Sequence, residues 1–187
     1  MIELREEPVV DLREHAGIPS IFEAQSIFDV LHSPVGFSLV ERSISAPYRK
    51  NYDQFDDPLA WPRDFDTACW VLIAAFVGFE RVGGLIIALA APGIDMLEGR
   101  TSLAVLWDLR VAPTHQRRSV ATVLLRAAQD WAQRRGSIEL KVETQNTNPG
   151  ACKFYMHNGF VLAEARPGAY RELPQDVQLI WRKKLDA

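Results

Sequence analysis

The sequence predicts a mixed α/β layer protein, on three observations. Short β-branched runs alternate with helical stretches through the second half of the chain. A long apolar region around residues 68–90 breaks into two strand-length pieces. The length of 187 residues, with 48% hydrophobic and 24% charged side chains, suits one sizeable core without disulfide staples. No repeat or Pro/Ser-rich linker divides the chain, so a single domain over residues 1–187 is the expectation.

Taken in order, residues 18–32 place Ile18, Ile21, Phe22, Ala24, Ile27, Phe28, Val30 and Leu31 close to helical spacing, and Pro19-Ser20 can open a helix. Residues 37–44 alternate and read as a strand. Residues 47–66 are loop-like, rich in Tyr, Asp and Pro, with room for one short helix. Residues 68–76 and 82–90 form an antiparallel hairpin buried on both faces, turning near Gly78. With residues 37–44 they make three strands able to pair antiparallel.

Residues 103–111 are the next strand. Strict alternation puts Leu103, Val105, Trp107, Leu109 and Val111 on one face and Ala104, Leu106, Asp108 and Arg110 on the other. A helix over 118–135 follows, with an apolar stripe of Val120, Val123, Leu124, Ala127, Ala128 and Trp131 and a stop at Gly136. Residues 138–143 form a strand, which makes 103–143 a right-handed βαβ unit. Asn148-Pro149 supplies an N-cap and first-turn proline for a shorter helix ending at Gly159. Residues 160–164 and 177–184 are the last two strands.

Charge and composition exclude several partners. A net charge of −3 offers no global basic field to nucleic acid or an anionic membrane. The longest apolar run, 68–79, is too short to span a bilayer. The first fifteen residues are acidic and lack the basic and apolar regions of a secretory signal. Two cysteines without a CxxC pair read as reduced thiols, so a cytoplasmic location is expected. His15, His32, His115 and His157 lack metal-ligand spacing, so no metal is expected.

The chemistry concentrates where the strand at 103–111 meets the following helix. A helix start presents unpaired N–H groups and the positive end of the macrodipole, which suits a pyrophosphate. Ser119 and Ala121 are small enough for close backbone approach, and Arg117 and Arg118 add cationic donors. Taken alone, this stretch reads equally as a basic helix start in solvent. About thirty residues on stands Asn148-x-x-Ala151-x-x-Phe154-Tyr155-x-x-x-Gly159-Phe160.

Together these segments resemble the GNAT acetyltransferase superfamily over roughly residues 35–184. Gln116-x-x-Ser119-x-Ala121 stands where that family carries a Gln/Arg-x-x-Gly-x-Gly/Ala coenzyme A loop. The departure is Ser119 for Gly: a serine with helical φ/ψ would only adjust pyrophosphate binding, whereas a positive φ there would strain it. Pro47-Tyr48-Arg49-Lys50-Asn51-Tyr52, Trp107-Asp108-Leu109-Arg110-Val111, Val142-Glu143-Thr144-Gln145-Asn146 and Ala151-Cys152-Lys153-Phe154-Tyr155 are similar to the streptothricin acetyltransferase branch. The resemblance implies a mixed, splayed sheet of about six to seven strands with helices on both faces. It also implies acetyl-CoA as co-substrate, held by Leu109, Arg110, Val111, Gln116, Arg117, Arg118, Ser119, Val120, Ala121, Thr122, Asn148, Ala151 and Tyr155.

Acetyl transfer needs a neutral amine, and only about one lysine-like amine in a thousand is neutral at pH 7. Asp108, then Glu143, are the candidate bases. Asp108 could equally pair with Arg110, and Glu143 could serve a strand end. The resemblance implies that Tyr155 protonates the leaving thiolate, against the alternative of a core tyrosine. It implies oxyanion donors among the amides of 109–111. Asn148 could simply cap its helix. Asp53, Asp56, Asp57, Asp64 and Asp66, interleaved with Tyr52, Phe55, Trp61 and Phe65, suit a small cationic amine, or else form a solvated acidic loop. The expectation is an N-acetyltransferase for such an amine, a streptothricin-type antibiotic among the acceptors, with a homodimer implied by the resemblance. The rival is a non-catalytic acyl-CoA sensor or interaction module of the same fold, which Ser119 favours.

Overall fold

The computed structural model describes residues 1–34 and 36–185. Val35, Asp186 and Ala187, which the expected domain of 1–187 includes, lie outside the described residues. The strands are β1 (Glu3–Glu7), β2 (Ile21–Ser33), β3 (Gly36–Asn51), β4 (Val71–Val77), β5 (Glu80–Leu89), β6 (Leu103–Val111), β7 (Glu139–Gln145), β8 (Val161–Pro167) and β9 (Val177–Lys184). The helices are α1 (Arg13–Ala16), α2 (Trp61–Asp64), α3 (Val120–Arg134) and α4 (Pro149–His157). Seven strands form a mixed sheet in the order β1-β4-β5-β6-β7-β9-β8, and β2 and β3 form a second sheet of two. The mixed α/β class follows directly.

The chain divides into two compact units. One comprises Met1–Ser20, Asn51–Leu140 and the end of the chain from Lys184. The other comprises Ile21–Lys50 and Lys141–Lys183.

In the first unit, β4 and β5 form the expected hairpin, paired from Val71↔Ile87 to Val77↔Glu80, and Gly78 turns it with φ +61°. Nearly every residue of both strands is buried. The outer neighbour of β4 is β1, antiparallel with Glu3 opposite Phe76. The sequence reading left β1 out, because ELREE carries the charges of an edge strand and no hydrophobic alternation. Helix α3 starts and ends close to expectation, and Gly136 (φ +81°) follows it. Its buried stripe is Val120, Leu124, Leu125, Ala128, Trp131 and Ala132, so Leu125 and Ala132 replace Val123 and Ala127.

Two glycines on β5 decide how closely this unit packs. A Cβ on Gly83 would lie 3.0 Å from Val120 Cγ1 and 3.2 Å from Leu124 Cδ1, so α3 covers that face. A Cβ on Gly84 would lie 2.5 Å from His15 Nδ1, so the α1 segment covers the other. Against β5, β6 carries a bulge. Ile86 faces Asp108 while Ile87 faces Leu106, leaving Trp107 as the extra residue. This corrects the strict alternation expected for 103–111. Val105 shares a buried cluster with Ile86, Ala88, Leu72 and Trp70, and Asp108, opposite Ile86, falls on that same face.

In the second unit, residues 21–33 are a strand, not the expected helix. The buried positions Ala24 and Phe28 lie four apart, a spacing that fits one helical turn and two strand repeats equally. Pairing with β3 decides between them. For the same reason the strand expected at 37–44 does not join β4 and β5; it belongs to the longer β3, which pairs with β2 in the two-stranded sheet. Asn146 fastens this ribbon to the end of β7. Its Nδ2 donates to the Phe28 carbonyl at 2.9 Å, its carbonyl accepts the Phe28 amide at 2.9 Å, and its Oδ1 accepts the Val177 amide at 2.7 Å.

Candidate active site

In the first unit, Asp108 and Arg110 meet on one face of β6. Arg110 Nε donates to Asp108 Oδ2 at 2.6 Å, and His15 Nε2 lies 2.8 Å from the same oxygen. Arg110 Nη1 donates to Asp53 Oδ1 at 2.7 Å and to the Ile18 carbonyl at 3.0 Å. The other Asp53 oxygen accepts the Ser20 amide at 3.0 Å. The His15 and Arg110 side chains are 0% and 2% exposed. Burial alone would push the Asp108 carboxyl up. Hydrogen bonds and charge from His15 and Arg110 outweigh it and hold the group below the ordinary carboxylate range. Such a carboxylate is a weak base.

Five loop aspartates were expected to form one cationic-amine site, but they divide by task. Asp57 and Asp66 accept the amides of Leu59 and Ala68 in local turns, and Asp64 pairs with Arg63 at 2.8 Å. Asp53 and Asp56 face the Asp108–Arg110 group. Trp61 Nε1 donates to Asp56 Oδ1 at 2.7 Å. Asp56 is exposed at its edge but crowded by protein; that desolvation, with the charge of Asp108, pushes its carboxyl up against the Trp61 hydrogen bond. Beside them Trp107 packs 4.9 Å from Trp70, 5.1 Å from Phe65 and edge-on to Trp61 at 6.2 Å, between ring centroids.

The Ala112 amide donates to the Val82 carbonyl at 2.9 Å. Alternation along β6 therefore turns the Arg110 amide toward β5 and the Leu109 and Val111 amides toward the opposite edge. Gln116 Nε2 reaches back to the Val111 carbonyl at 3.4 Å. Arg117 and Ser119 both have positive φ, +59° and +63°. Ser119 is the N-cap of α3, and no side chain caps the helix. Gln116, Arg117, Arg118 and Ser119 are exposed, Val120 is buried, and Ala121 and Thr122 are half-buried.

In the second unit, Glu143 lies on β7 with a donor on each oxygen. The Tyr170 hydroxyl donates to Oε1, and Gln178 Nε2 donates to Oε2 at 2.8 Å. Gln145 Nε2 donates to the Tyr170 oxygen at 3.0 Å. Asn148 Oδ1 accepts the Ala151 amide at 3.1 Å, so it does cap α4. Tyr155 is buried on α4, its ring 5.2 Å from those of Phe154 and Phe160. Cys152 is fully buried, and burial pushes its thiol up to about 11, well away from nucleophilic use.

A family model described as the acetyltransferase (GNAT) family matches residues 37–160, about two thirds of the chain. The chain is also 34% identical over 154 residues to a streptothricin acetyltransferase of Escherichia coli, covering 82% of this chain and 78% of that one. The chain belongs to the GNAT acetyltransferase family. Solved structures share the fold of this acetyltransferase. A nourseothricin acetyltransferase superposes with a TM-score of 0.78 at 20% identity, covering 99% of both chains. A protein from Bacillus anthracis str. Ames, solved in complex with acetyl coenzyme A, superposes with 0.79 at 21% identity, covering 100% of this chain and 99% of its own.

The chain is thus an N-acetyltransferase with acetyl-CoA as its acetyl donor, the activity expected from its sequence. The rival reading as a non-catalytic module is not favoured. Several polar residues that organise the acetyltransferase escaped sequence reasoning: His15 against Asp108, Tyr170 and Gln178 against Glu143, and Asp176 under Lys50. None carries a local signal. Each lies in or beside a loop, and its partner is far away in sequence.

Proposed function

We propose that this acetyltransferase modifies the primary amine of a small cationic acceptor of the streptothricin type. The observation that carries the reading is the 34% identity to the Escherichia coli streptothricin acetyltransferase across most of both chains. The Asp56 carboxylate beside Trp61 supports a cationic acceptor, since a carboxyl destabilised by desolvation and a neighbouring charge is relieved by a cation.

The roles follow from each residue's own surroundings. The uncapped start of α3, Ser119 to Thr122, with Gln116, Arg117 and Arg118, receives the pyrophosphate of acetyl-CoA. Asn148 and Ala151 bind the pantetheine arm. Of the three expected oxyanion contributors, Leu109 and Val111 supply amides, while Arg110 serves through its ion pairs. Of the two carboxylates, Glu143 is the base and Asp108 an anchor, because Asp108 is held ionised by Arg110 and His15. The amine nitrogen attacks the thioester carbonyl after its proton passes to Glu143. The tetrahedral oxyanion collapses, the C–S bond breaks, Tyr155 gives its proton to the departing thiolate, and the second proton of the attacking nitrogen returns to the Tyr155 oxygen.

One domain carries this activity, since the family match at 37–160 draws on both units. The protein works in the cytoplasm on a small molecule and not on nucleic acid or a membrane. The charge of −3 and the lack of any described helix long and apolar enough to cross a bilayer support this. The active form is a homodimer, which light scattering checks directly. The test of function is thiol release from acetyl-CoA over a panel of streptothricin, spermidine, free lysine and short peptides. Streptothricin should give the highest kcat/KM; faster turnover of spermidine or a peptide would overturn the assignment.

A further inference from the structure

We infer that Tyr170 is the positioning residue of the base, holding the Glu143 carboxylate through a hydrogen-bond chain that starts at Gln145. The inference rests on the proposed role of Glu143.

The direction of the chain is forced by chemistry. An ionised carboxylate only accepts, so the single phenol hydrogen of Tyr170 goes to Glu143 Oε1. The Tyr170 oxygen must then accept its other contact, so Gln145 presents its N–H at 3.0 Å. The contact at Glu143 Oε2 is likewise an N–H, from Gln178 at 2.8 Å. Each link polarises the next. One donor on each oxygen fixes the plane of the carboxylate and leaves one lone pair per oxygen for the amine proton.

Tyr170 is itself held. Lys50 Nζ lies 5.7 Å from its ring centroid, and that ammonium is anchored 2.7 Å from Asp176 Oδ2. Asp176, fully buried, also accepts the Thr147 hydroxyl at 3.0 Å. The Leu173 amide donates to the Tyr170 carbonyl at 3.3 Å, and the Asp176 amide to the Leu173 carbonyl at 2.9 Å. The loop from β8 to β9 is thereby folded onto β7, with the phenol as its contact to the carboxylate.

The step assigned to Glu143 is unchanged: the amine loses one proton, the carboxylate gains it, and the acid returns it to water after release. Tyr170 neither loses nor gains a proton in the cycle. It sets where the accepting lone pair points, through its hydrogen bond to Oε1.

The test compares Tyr170→Phe, Glu143→Gln and the double variant of the full chain, with acetyl-CoA and the best amine of the panel. Tyr170→Phe should lower kcat about 10- to 100-fold, part of what a general base contributes. It should leave KM for acetyl-CoA within about twofold, so that the loss falls on kcat. In the Glu143→Gln background, the same change should cost little more. A thermal melt near that of the wild type separates this from loss of fold. Wild-type kcat in Tyr170→Phe, with Glu143→Gln inactive, overturns the inference and leaves Glu143 as base. Full additivity in the double variant also overturns it. Wild-type activity in Glu143→Gln removes the base assignment itself, and the inference with it.

Discussion

Ser119 shows what one side chain can and cannot reveal. Its position in the loop motif was legible, and so was the condition that would strain it. Its φ of +63° meets that condition. A left-handed conformation costs an L-residue about 1–2 kcal/mol, which glycine avoids at the expense of greater freedom in the unfolded chain. Ser119→Gly should therefore stabilise the fold by up to about 1 kcal/mol in a urea titration and lower KM for acetyl-CoA. An unchanged KM would separate the strain at Ser119 from acetyl-CoA binding. The two thiols make a second residue-scale case. Cys69 is exposed, whereas Cys152 is buried with its thiol pushed up to about 11. At pH 8 a thiol reagent should titrate one group rapidly, and the second only after denaturant is added. Rapid reaction at both would contradict the packing of α4.

At the scale of elements, the Gly83-Gly84 pair on β5 does more than interrupt an apolar run. It admits α3 on one face and His15 on the other. A Cβ at Gly84 would fall 2.5 Å from a buried imidazole and 3.0 Å from Leu72 Cδ1, so both would have to shift. Gly84→Ala should cost about 1–3 kcal/mol in chemical denaturation, the usual penalty of overpacking. Wild-type stability would mean that His15 can leave Asp108 without loss. The bulge at Trp107 has comparable reach. Without the extra residue, alternation would place Asp108 and Arg110 on the face opposite Val105, away from Asp53 and Ile18.

For the molecule as a whole, the buried ion-pair group of Asp108, Arg110, His15 and Asp53 ties the N-terminal segment and the 51–57 loop to β6. A carboxyl with a lowered folded pKa adds stability that is complete above its unfolded value of about 3.9 and disappears as pH falls through the folded value. Urea midpoints should therefore fall steeply below about pH 4. Asp108→Asn should lose on the order of 3 kcal/mol at pH 7, because Arg110 is left buried with one partner fewer, and its acid limb should be shallower. An acid limb equal to the wild type's would assign that loss to other groups.

The sequence by itself determined what depends on neighbours along the chain. The Asn148-Pro149 start of α4, the glycine stops after α3 and α4, the β4–β5 hairpin, the span of β6 and the motif residues of the family are all set by local backbone chemistry and periodicity. Tertiary structure decided what depends on partners. Ala24 and Phe28 fit helix and strand alike until β3 pairs with β2. Asp108 has one legible neighbour, Arg110, until His15, 93 residues away, meets the same oxygen. Tyr170 is an ordinary loop residue until the chain folds it onto Glu143. Periodicity records which side of an element is buried, and carries no record of which distant donor will satisfy a buried charge.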